Sequence, residues 1–281
     1  MRNKKRFLRY ALLVVIVFIA SFVFTASGIL SPDRIMSLFD GSDKTNYAST
    51  ENGWNLILIN KDNYIPEDYD VKLLKLSNGE RIDERIYPEL QQMFDDARAT
   101  GLELFVAQGY RTAQEQQKLL EDKREAYEYE GKSAEEAKEL AEQWVAVPGT
   151  SEHQLGIAVD INADEEKCKP DDVYRWLSKN AHKYGFIIRY PYWGENETGV
   201  TYEPWHLRYV GEPHAQIIYR TKIVLEEYAS LYEDGEFYLF ENYVISHQAC
   251  EDGNFTFPIE AENIAVSRDN MGGYFIWGEI A

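Results

Sequence analysis

Only two of the 281 residues are cysteine, Cys168 and Cys250. That excludes a disulfide-dense scaffold and a structural zinc site built from four thiolates. Basic charge is scarce too: 29 lysines and arginines stand against 48 acids, a formal charge of -19. A body so short of cations has no face with which to neutralise phosphates, so nucleic-acid binding is excluded. Long apolar runs are missing except for one at the amino terminus, and there are no internal repeats. What the chain does have is 44% hydrophobic and 14% aromatic residues, enough to bury a core, so it is not disordered as a whole. Its length suits one or two domains.

The charge is unevenly spread. Residues 1–30 hold Arg2, Lys4, Lys5, Arg6 and Arg9 and no acid, which leaves the remainder with 24 bases against 48 acids. Behind the five bases, Ala11 to Leu30 is an almost unbroken apolar run of transmembrane length. Positive residues ahead of such a run predict an amino terminus held in the cytoplasm and one membrane-spanning helix. A secretory signal peptide shares this polarity, and Thr25-Ala26-Ser27 offers small residues for a signal peptidase. No lipobox cysteine is present. The expectation is an uncleaved anchor in the cell membrane, with secretion after cleavage as the alternative. In both cases the acidic body lies outside the cytoplasmic membrane. That compartment permits a Cys168–Cys250 disulfide, and two separate thiols fit the spacing equally well.

The body divides by pattern. Residues 31–53 are polar and turn-rich and read as a linker. From Trp54, the run WNLILI has strand length, and Leu73 to Leu76 follows a Pro-containing loop. Tyr87 to Ala99 has apolar residues at helical spacing and stops before Gly101; LELFVA at 102–107 reads as a buried strand. Charged helical patterns cover Arg111 to Glu130 and, behind the capping box Ser133 to Glu136, a second helix to about Trp144. Ile157 to Ile161 and Leu207 to Val210 read as strands, with a helix over Val173 to Tyr184 that leaves His182 exposed. Helices alternating with short strands predict an α+β domain over about 54–230, a small antiparallel sheet with flanking helices. Residues 231–281 differ: short aromatic β segments (237–240, 243–245, 254–257, 274–277) are separated by Asp-Gly and Gly-Gly turns. A β appendage and extra strands on the main domain are both consistent with them.

Unusual residues concentrate in three places: Gln108-Gly-Tyr110-Arg111-Thr112, Ser151-Glu-His153-Gln-Leu-Gly156-Ile-Ala158-Val-Asp160, and Glu203-Pro-Trp-His206-Leu-Arg208. A hydrolytic zinc keeps three protein ligands and leaves a position for water. His153 and Asp160 stand seven apart across a glycine turn, and His206 could bring the third ligand from a distant strand. An acid inside an apolar run must be paired or metal-bound. An arginine partner for Asp160 meets that condition as well as an ion does. Zinc lowers the pKa of its water to about 7. Glu203 would then be the base, and Arg111 a fixed positive charge where an oxyanion develops. Each residue taken alone also has an ordinary structural reading; their conjunction carries the argument.

These segments resemble the zinc D-alanyl-D-alanine metallopeptidases of the LAS group, which includes lysostaphin-type and hedgehog-type relatives. Ser151-x-His153-x-x-Gly156-x-Ala158-x-Asp160 matches their SxHxxGxAxD pattern, Glu203-x-x-His206 their second motif, and Gly109-Tyr110-Arg111 their arginine segment. The order and the approximate spacing agree, and the likeness runs from about Trp54 to Glu227, with its opening INKDNYIPEDYD typical of the D,D-carboxypeptidase branch. The resemblance implies that His153, Asp160 and His206 bind one zinc, that Glu203 is the general base and acid, and that Arg111 stabilises the transition state. Ser151, Gln108 and Tyr110 would line the substrate site; many relatives have serine where Gln108 stands. It further implies a vancomycin-resistance VanY-type D,D-carboxypeptidase acting on peptidoglycan stem peptides that end in D-Ala-D-Ala. An L,D-carboxypeptidase, an endopeptidase, or a non-catalytic zinc or wall-binding module are the alternatives. The external location argues against the cytoplasmic dipeptidases of the group. Residues from about Glu121 to Trp144 exceed the family minimum and are expected to cover or narrow the cleft.

Overall fold

The computed structural model describes residues 29–30, 44–48, 53–250, 254–258 and 261–280. The basic cluster and most of the apolar run that read as an anchor lie outside these residues. Among the described residues no helix is long and apolar enough to cross a membrane.

In chain order the strands are β1 (Ile29–Leu30), β2 (Lys44–Ala48), β3 (Leu73–Lys75) and β4 (Arg81–Asp83), then helix α1 (Tyr87–Ala99) and β5 (Leu104–Gln108). Two charged helices follow, α2 (Ala113–Tyr129) and α3 (Ala134–Trp144), ahead of β6 (Ala158–Ala163) and α4 (Pro170–Asn180). Next come β7 (Phe186–Tyr190), the short α5 (Glu195–Thr198), β8 (Glu203–Tyr209), α6 (His214–Thr221) and α7 (Leu225–Tyr228). The chain closes on β9 (Phe237–Phe240), β10 (Tyr243–Ala249), β11 (Asn254–Pro258), β12 (Glu262–Arg268) and β13 (Gly273–Glu279).

The sheet that positions the site has the order β5-β6-β8-β7, all antiparallel. Alternation along β5 buries Leu104 and Val106 and leaves Phe105 exposed, so this edge strand is half-buried rather than wholly core. A second sheet, β1-β9-β10-β13-β12, holds the carboxy-terminal aromatics. Its apolar face joins Leu56, Leu58, Ile187, Val210 and the α6 residues Ala215, Ile217 and Ile218 in one core, so the tail packs on the main body. The stretch Lys44–Ala48, inside the segment read as a linker, pairs with β11.

The WNLILI run is not a ladder strand, and the chain bends at Asn55 and Leu56. Its side chains alternate between two cores: Leu56 and Leu58 enter the one shared with the tail, while Ile57 and Ile59 enter the one under the site sheet. Its backbone is satisfied from elsewhere. The Leu56 N–H donates to Ser267 Oγ at 3.0 Å, the Leu58 N–H to the Asp269 carbonyl at 3.0 Å, and the Asn55 and Ile57 carbonyls accept from Arg208. The period-2 pattern therefore marks a seam between cores.

Helix α1 matches the predicted bounds and buries Leu90, Met93, Phe94 and Ala97 at helical spacing. Ser133 accepts from the Glu136 N–H as the cap of α3, but the reciprocal capping box is at Thr112 and Glu115, opening α2. His182 is not exposed: it is half-buried and stacks on Tyr219 with ring centroids 3.6 Å apart, and burial pushes its pKa down to about 4. Cys168 carries a free thiol whose Sγ lies 3.2 Å from the Glu103 carbonyl, so no bond joins it to Cys250.

Candidate metal centre and active-site cleft

Ladder register assembles the centre. Asp160 on β6 stands directly opposite His206 on β8, and Gln108 on β5 stands opposite Asp160. His153 arrives from a single turn of 3-10 helix, Glu152–Leu155, that ends on Gly156 at φ 73. A side chain at Gly156 would meet Val71 Cγ1 at 2.9 Å and the Asp83 nitrogen at 3.1 Å, so both the left-handed backbone and the close approach require glycine. Gly109 is fixed by crowding alone, since a Cβ there would sit 2.1 Å from the Arg81 carbonyl oxygen.

His153, Asp160 and His206 bring one ligand atom each within 4.8 Å of one another. His153 Nε2 is 3.5 Å from Asp160 Oδ2, and His206 Nδ1 is 3.0 Å from Asp160 Oδ1. Despite that proximity Asp160 Oδ1 is buried with no hydrogen-bond partner. Two atoms close together and unbonded to each other are what a shared third partner produces. Ligands about 2.0–2.1 Å from a tetrahedral zinc stand roughly 3.3 Å apart, which the observed separations bracket. The outer contacts agree. His153 Nδ1 meets the Gly109 carbonyl at 2.9 Å, so it carries the proton and leaves Nε2 as ligand. His206 turns Nδ1 inward and Nε2 toward Glu152 Oε2, 3.7 Å away. The donor set thus fits a zinc held by His153 Nε2, an Asp160 oxygen and His206 Nδ1.

The charges are strongly coupled. Burial works to raise the Asp160 carboxyl, but His153 and His206 outweigh it and hold the group well below the carboxylate range. Burial alone would lower His206; Asp160 and Glu152 instead lift it to about 9 in the metal-free protein. Burial lowers His153, although Asp160 pulls the other way. Glu203, on β8 with its Oε2 3.8 Å from His206 Nδ1, is raised by burial, partly offset by His206. A carboxylate moved toward neutrality is suited to taking up a proton and returning it.

These residues line a cleft of about 490 Å³, together with Arg111, Ser151, Thr150, Tyr190 and Trp205. Arg111 donates from Nη1 to Gln116 Oε1 at 2.7 Å, and Gln116 is itself anchored on the Ala146 carbonyl at 2.7 Å. Its Nε is buried and unpartnered. Burial lowers its pKa, against the pull of Asp160, Glu115, Glu80 and Glu203. The base of the α2–α3 pair forms a wall through Leu119, Glu142 and Trp144, so the insertion does border the cleft. Gln108 and Tyr110 do not line it. The Gln108 amide reaches Glu80 Oε2 at 3.5 Å, and the Tyr110 ring lies 5.2 Å from the Arg81 guanidinium carbon.

Sequence reasoning passed over Glu152, Gln116 and Tyr190. Glu152 is fully buried among Arg189, Arg208 and His206. Burial works to raise its carboxyl, but the two arginines overcome this and hold it well below the usual range. The signal available was the pair of arginines, Arg189 and Arg208, inside otherwise apolar strands, which demand buried acids.

With this geometry in place, the comparisons with known proteins become specific. Residues 79–212 match the family model "VanY: D-alanyl-D-alanine carboxypeptidase". Over 186 residues the chain is 38% identical to the bifunctional D-Ala-D-Ala dipeptidase and D-Ala-D-Ala carboxypeptidase VanXYC of Enterococcus gallinarum, covering 62% of this chain and 92% of that protein. The chain belongs to the VanY family. Within the family, a D-alanyl-D-alanine carboxypeptidase of Enterococcus faecalis (strain ATCC 700802 / V583) is 54% identical over 178 residues; the match spans 63% of this chain and 66% of the relative. Among solved VanY-type structures, VanYB in complex with D-alanine-D-alanine superposes with a TM-score of 0.61 at 54% identity, over 63% of this chain and 98% of that one. A zinc-bound variant of the D,D-pentapeptidase VanY from the VanB-type cassette gives 0.60 at 55%, over 62% and 98%. The D,D-dipeptidase VanXYg, in complex with a D-Ala-D-Ala phosphinate analogue, gives 0.70 at 26% identity and extends the likeness to 84% of this chain, against 98% of its own.

Proposed function

We propose that this VanY-family protein is a zinc-dependent D,D-carboxypeptidase that removes the terminal D-alanine from peptidoglycan stem peptides ending in D-Ala-D-Ala. One observation carries the reading. The three-ligand cluster shares a single cleft with an acid of raised pKa, Glu203, and with an arginine that keeps a buried donor in reserve. A structural zinc has no use for either. The relatives named for this activity, and the zinc and D-Ala-D-Ala complexes of VanY-type structures, support the same assignment.

His153, Asp160 and His206 would hold the metal, which when bound polarises a carbonyl and lowers the pKa of its water to about 7. The chain's own residues do the rest. Arg111 lines the cleft with its Nε unpartnered, and its positive charge would meet the penultimate carbonyl oxygen as that oxygen gains negative charge during attack. Glu203 takes the proton of the attacking water and hands it to the amine of the departing D-alanine, so it ends the cycle ionised as it began. Gln116 keeps Arg111 in place, and the Tyr190 ring, its centroid 5.0 Å from that of His206, packs on the metal-side imidazole.

The reading places the acidic body outside the cytoplasmic membrane, tethered through the apolar run ahead of β1, since Ile29 and Leu30 at its end pair with β9. The five bases ahead of that apolar run support this orientation. A wall-facing location suits a substrate held in peptidoglycan, and destroying D-Ala-D-Ala termini there would contribute to glycopeptide resistance. The test is D-alanine release from a pentapeptide stem by the purified protein, with and without chelator. Release that stops on chelation and returns with zinc is expected. Release unaffected by chelation, or surviving Glu203→Ala, would refute the mechanism.

A further inference from the structure

Glu152 takes no part in the chemistry above, yet the fold spends two buried arginines on it. Its side chain is fully buried, as are those of Arg189 and Arg208. One carboxylate oxygen takes both cations: Oε1 accepts from Arg189 Nε at 2.8 Å and from Arg208 Nη1 at 2.6 Å. The other oxygen, Oε2, is buried with no hydrogen-bond partner. It lies 3.7 Å from His206 Nε2, which is also buried without a partner.

Charge neutralisation alone does not explain this arrangement. Arg189 already has a two-pronged partner in Glu226, with contacts of 2.8 and 2.6 Å. Arg208 already donates to the carbonyls of Tyr209, Asn55 and Ile57. A carboxylate present only to balance these cations would have both oxygens available to them. Instead one oxygen is pinned from two sides, and the other is kept free and aimed at the one ring nitrogen of the ligand set that lacks a partner. His153 has its outer acceptor, the Gly109 carbonyl; His206 has nothing but Glu152. Outer carboxylates of this kind fix the tautomer and orientation of a metal-bound imidazole and raise its basicity.

We infer that Glu152 is a positioning residue for His206: its Oε2 accepts the Nε2–H of the imidazole and so turns Nδ1 onto the metal position. Arg189 and Arg208 hold that carboxylate, and Glu226 on α7 holds Arg189, so the ligand's orientation is anchored as far away as the start of the tail-side core. The inference rests on the zinc reading of the His153, Asp160 and His206 cluster. Closing the 3.7 Å gap to hydrogen-bond length needs less than about 1 Å of movement.

Two measurements test it. In the zinc-loaded wild type with nitrogen-15-labelled histidine, NMR should show His206 metal-bound through Nδ1 and carrying a proton on Nε2 that is shifted downfield and slow to exchange. Metal on Nε2, or an Nε2 proton in free exchange with water, would overturn the assignment. Glu152→Gln keeps the shape and removes the charge. It should bind zinc about 10–100-fold more weakly in competition with a chromophoric chelator, and lower kcat at unchanged KM, effects a purely structural carboxylate would not separate. Wild-type zinc affinity in a folded Glu152→Gln protein would also overturn it, and if that variant does not fold, the wild-type NMR result decides. A wild type that takes up no zinc would instead refute the metal reading itself, and this is seen before any variant is made.

Discussion

Arg111 offers a perturbation whose size follows from its surroundings. Its backbone N–H donates to the His153 carbonyl at 3.1 Å, a contact no side-chain change disturbs. Its guanidinium is tied at Nη1 to Gln116 Oε1, and Gln116 is almost wholly buried, so that arm is immobile. The opposite edge, at Nε, is desolvated and has no partner. A planar fork can hold Gln116 with one edge and a developing oxyanion with another. The ammonium of Arg111→Lys is a single point at the end of a shorter stem and can serve only one of them. The variant keeps its positive charge, so bulk electrostatics are unchanged and the lost contact is isolated. Removing one such preorganised donor costs about 10²–10³ in kcat, roughly 2.7–4 kcal/mol of transition-state stabilisation. Initial rates of D-alanine release from a pentapeptide stem, followed with a coupled oxidase, give kcat and KM together. The loss should fall on kcat, with zinc content at the wild-type level because Arg111 is not a ligand. An Arg111→Lys protein within about threefold of wild type in kcat would show that the guanidinium does not meet the reacting carbonyl.

Glu203→Gln should lose about 10²–10⁴ in kcat while retaining zinc, measured by turnover and metal analysis on the same sample; loss of zinc instead would make Glu203 a ligand. Zinc uptake by the metal-free protein at pH 7 should release about one proton, because His206 is lifted to about 9 and must shed its proton to bind. Calorimetry in buffers of different ionisation heat reads that number, and a value near zero would contradict the lifted pKa. His214 is fully buried, has Nδ1 2.7 Å from the Tyr228 hydroxyl oxygen, and is pushed by burial down to about 3. The fold therefore keeps this ring neutral while the unfolded chain protonates it near 6.5. Stability is whole above that pH and falls as pH drops toward the folded value, at about 1.4 kcal/mol per pH unit and ~3 kcal/mol by pH 4. Urea unfolding at pH 7 and pH 4 should show the wild-type advantage over His214→Gln shrinking by that order; an unchanged gap would refute it. Gly156→Ala should lower the melting temperature and zinc affinity together, since the added Cβ meets Val71 and the Asp83 backbone beside the turn that carries His153.

The legible part of the molecule was the part written in local pattern. Helix α1 could be read because Leu90, Met93, Phe94 and Ala97 recur at helical spacing and Gly101 follows. The cluster of His153, Asp160 and His206 could be read because an acid at 160 within an apolar run is costly unless something claims it, and two motif histidines were at hand. Tertiary context hid the rest. The alternation in WNLILI is real, but whether such a run joins a ladder depends on neighbours as remote as Ser267 and Arg208. The exposure expected for His182 ignored Tyr219, which is far off in sequence and covers its ring. Gln108 and Tyr110 sit beside Arg111 in the chain, yet contacts with Glu80 and Arg81 draw both away from the cleft. β12 went unread because Glu262-Asn263-Ile264-Ala265 alternates poorly; it is held by pairing with β13 across an irregular register.

The ratio of kcat/KM for a pentapeptide stem ending in D-Ala-D-Ala to that for the corresponding tetrapeptide, with zinc-loaded protein, addresses the proposed activity most directly. A preference of tenfold or more for the pentapeptide is expected of a D,D-carboxypeptidase. Equal rates, or a preference for the tetrapeptide, would contradict it and make the same centre an L,D-carboxypeptidase.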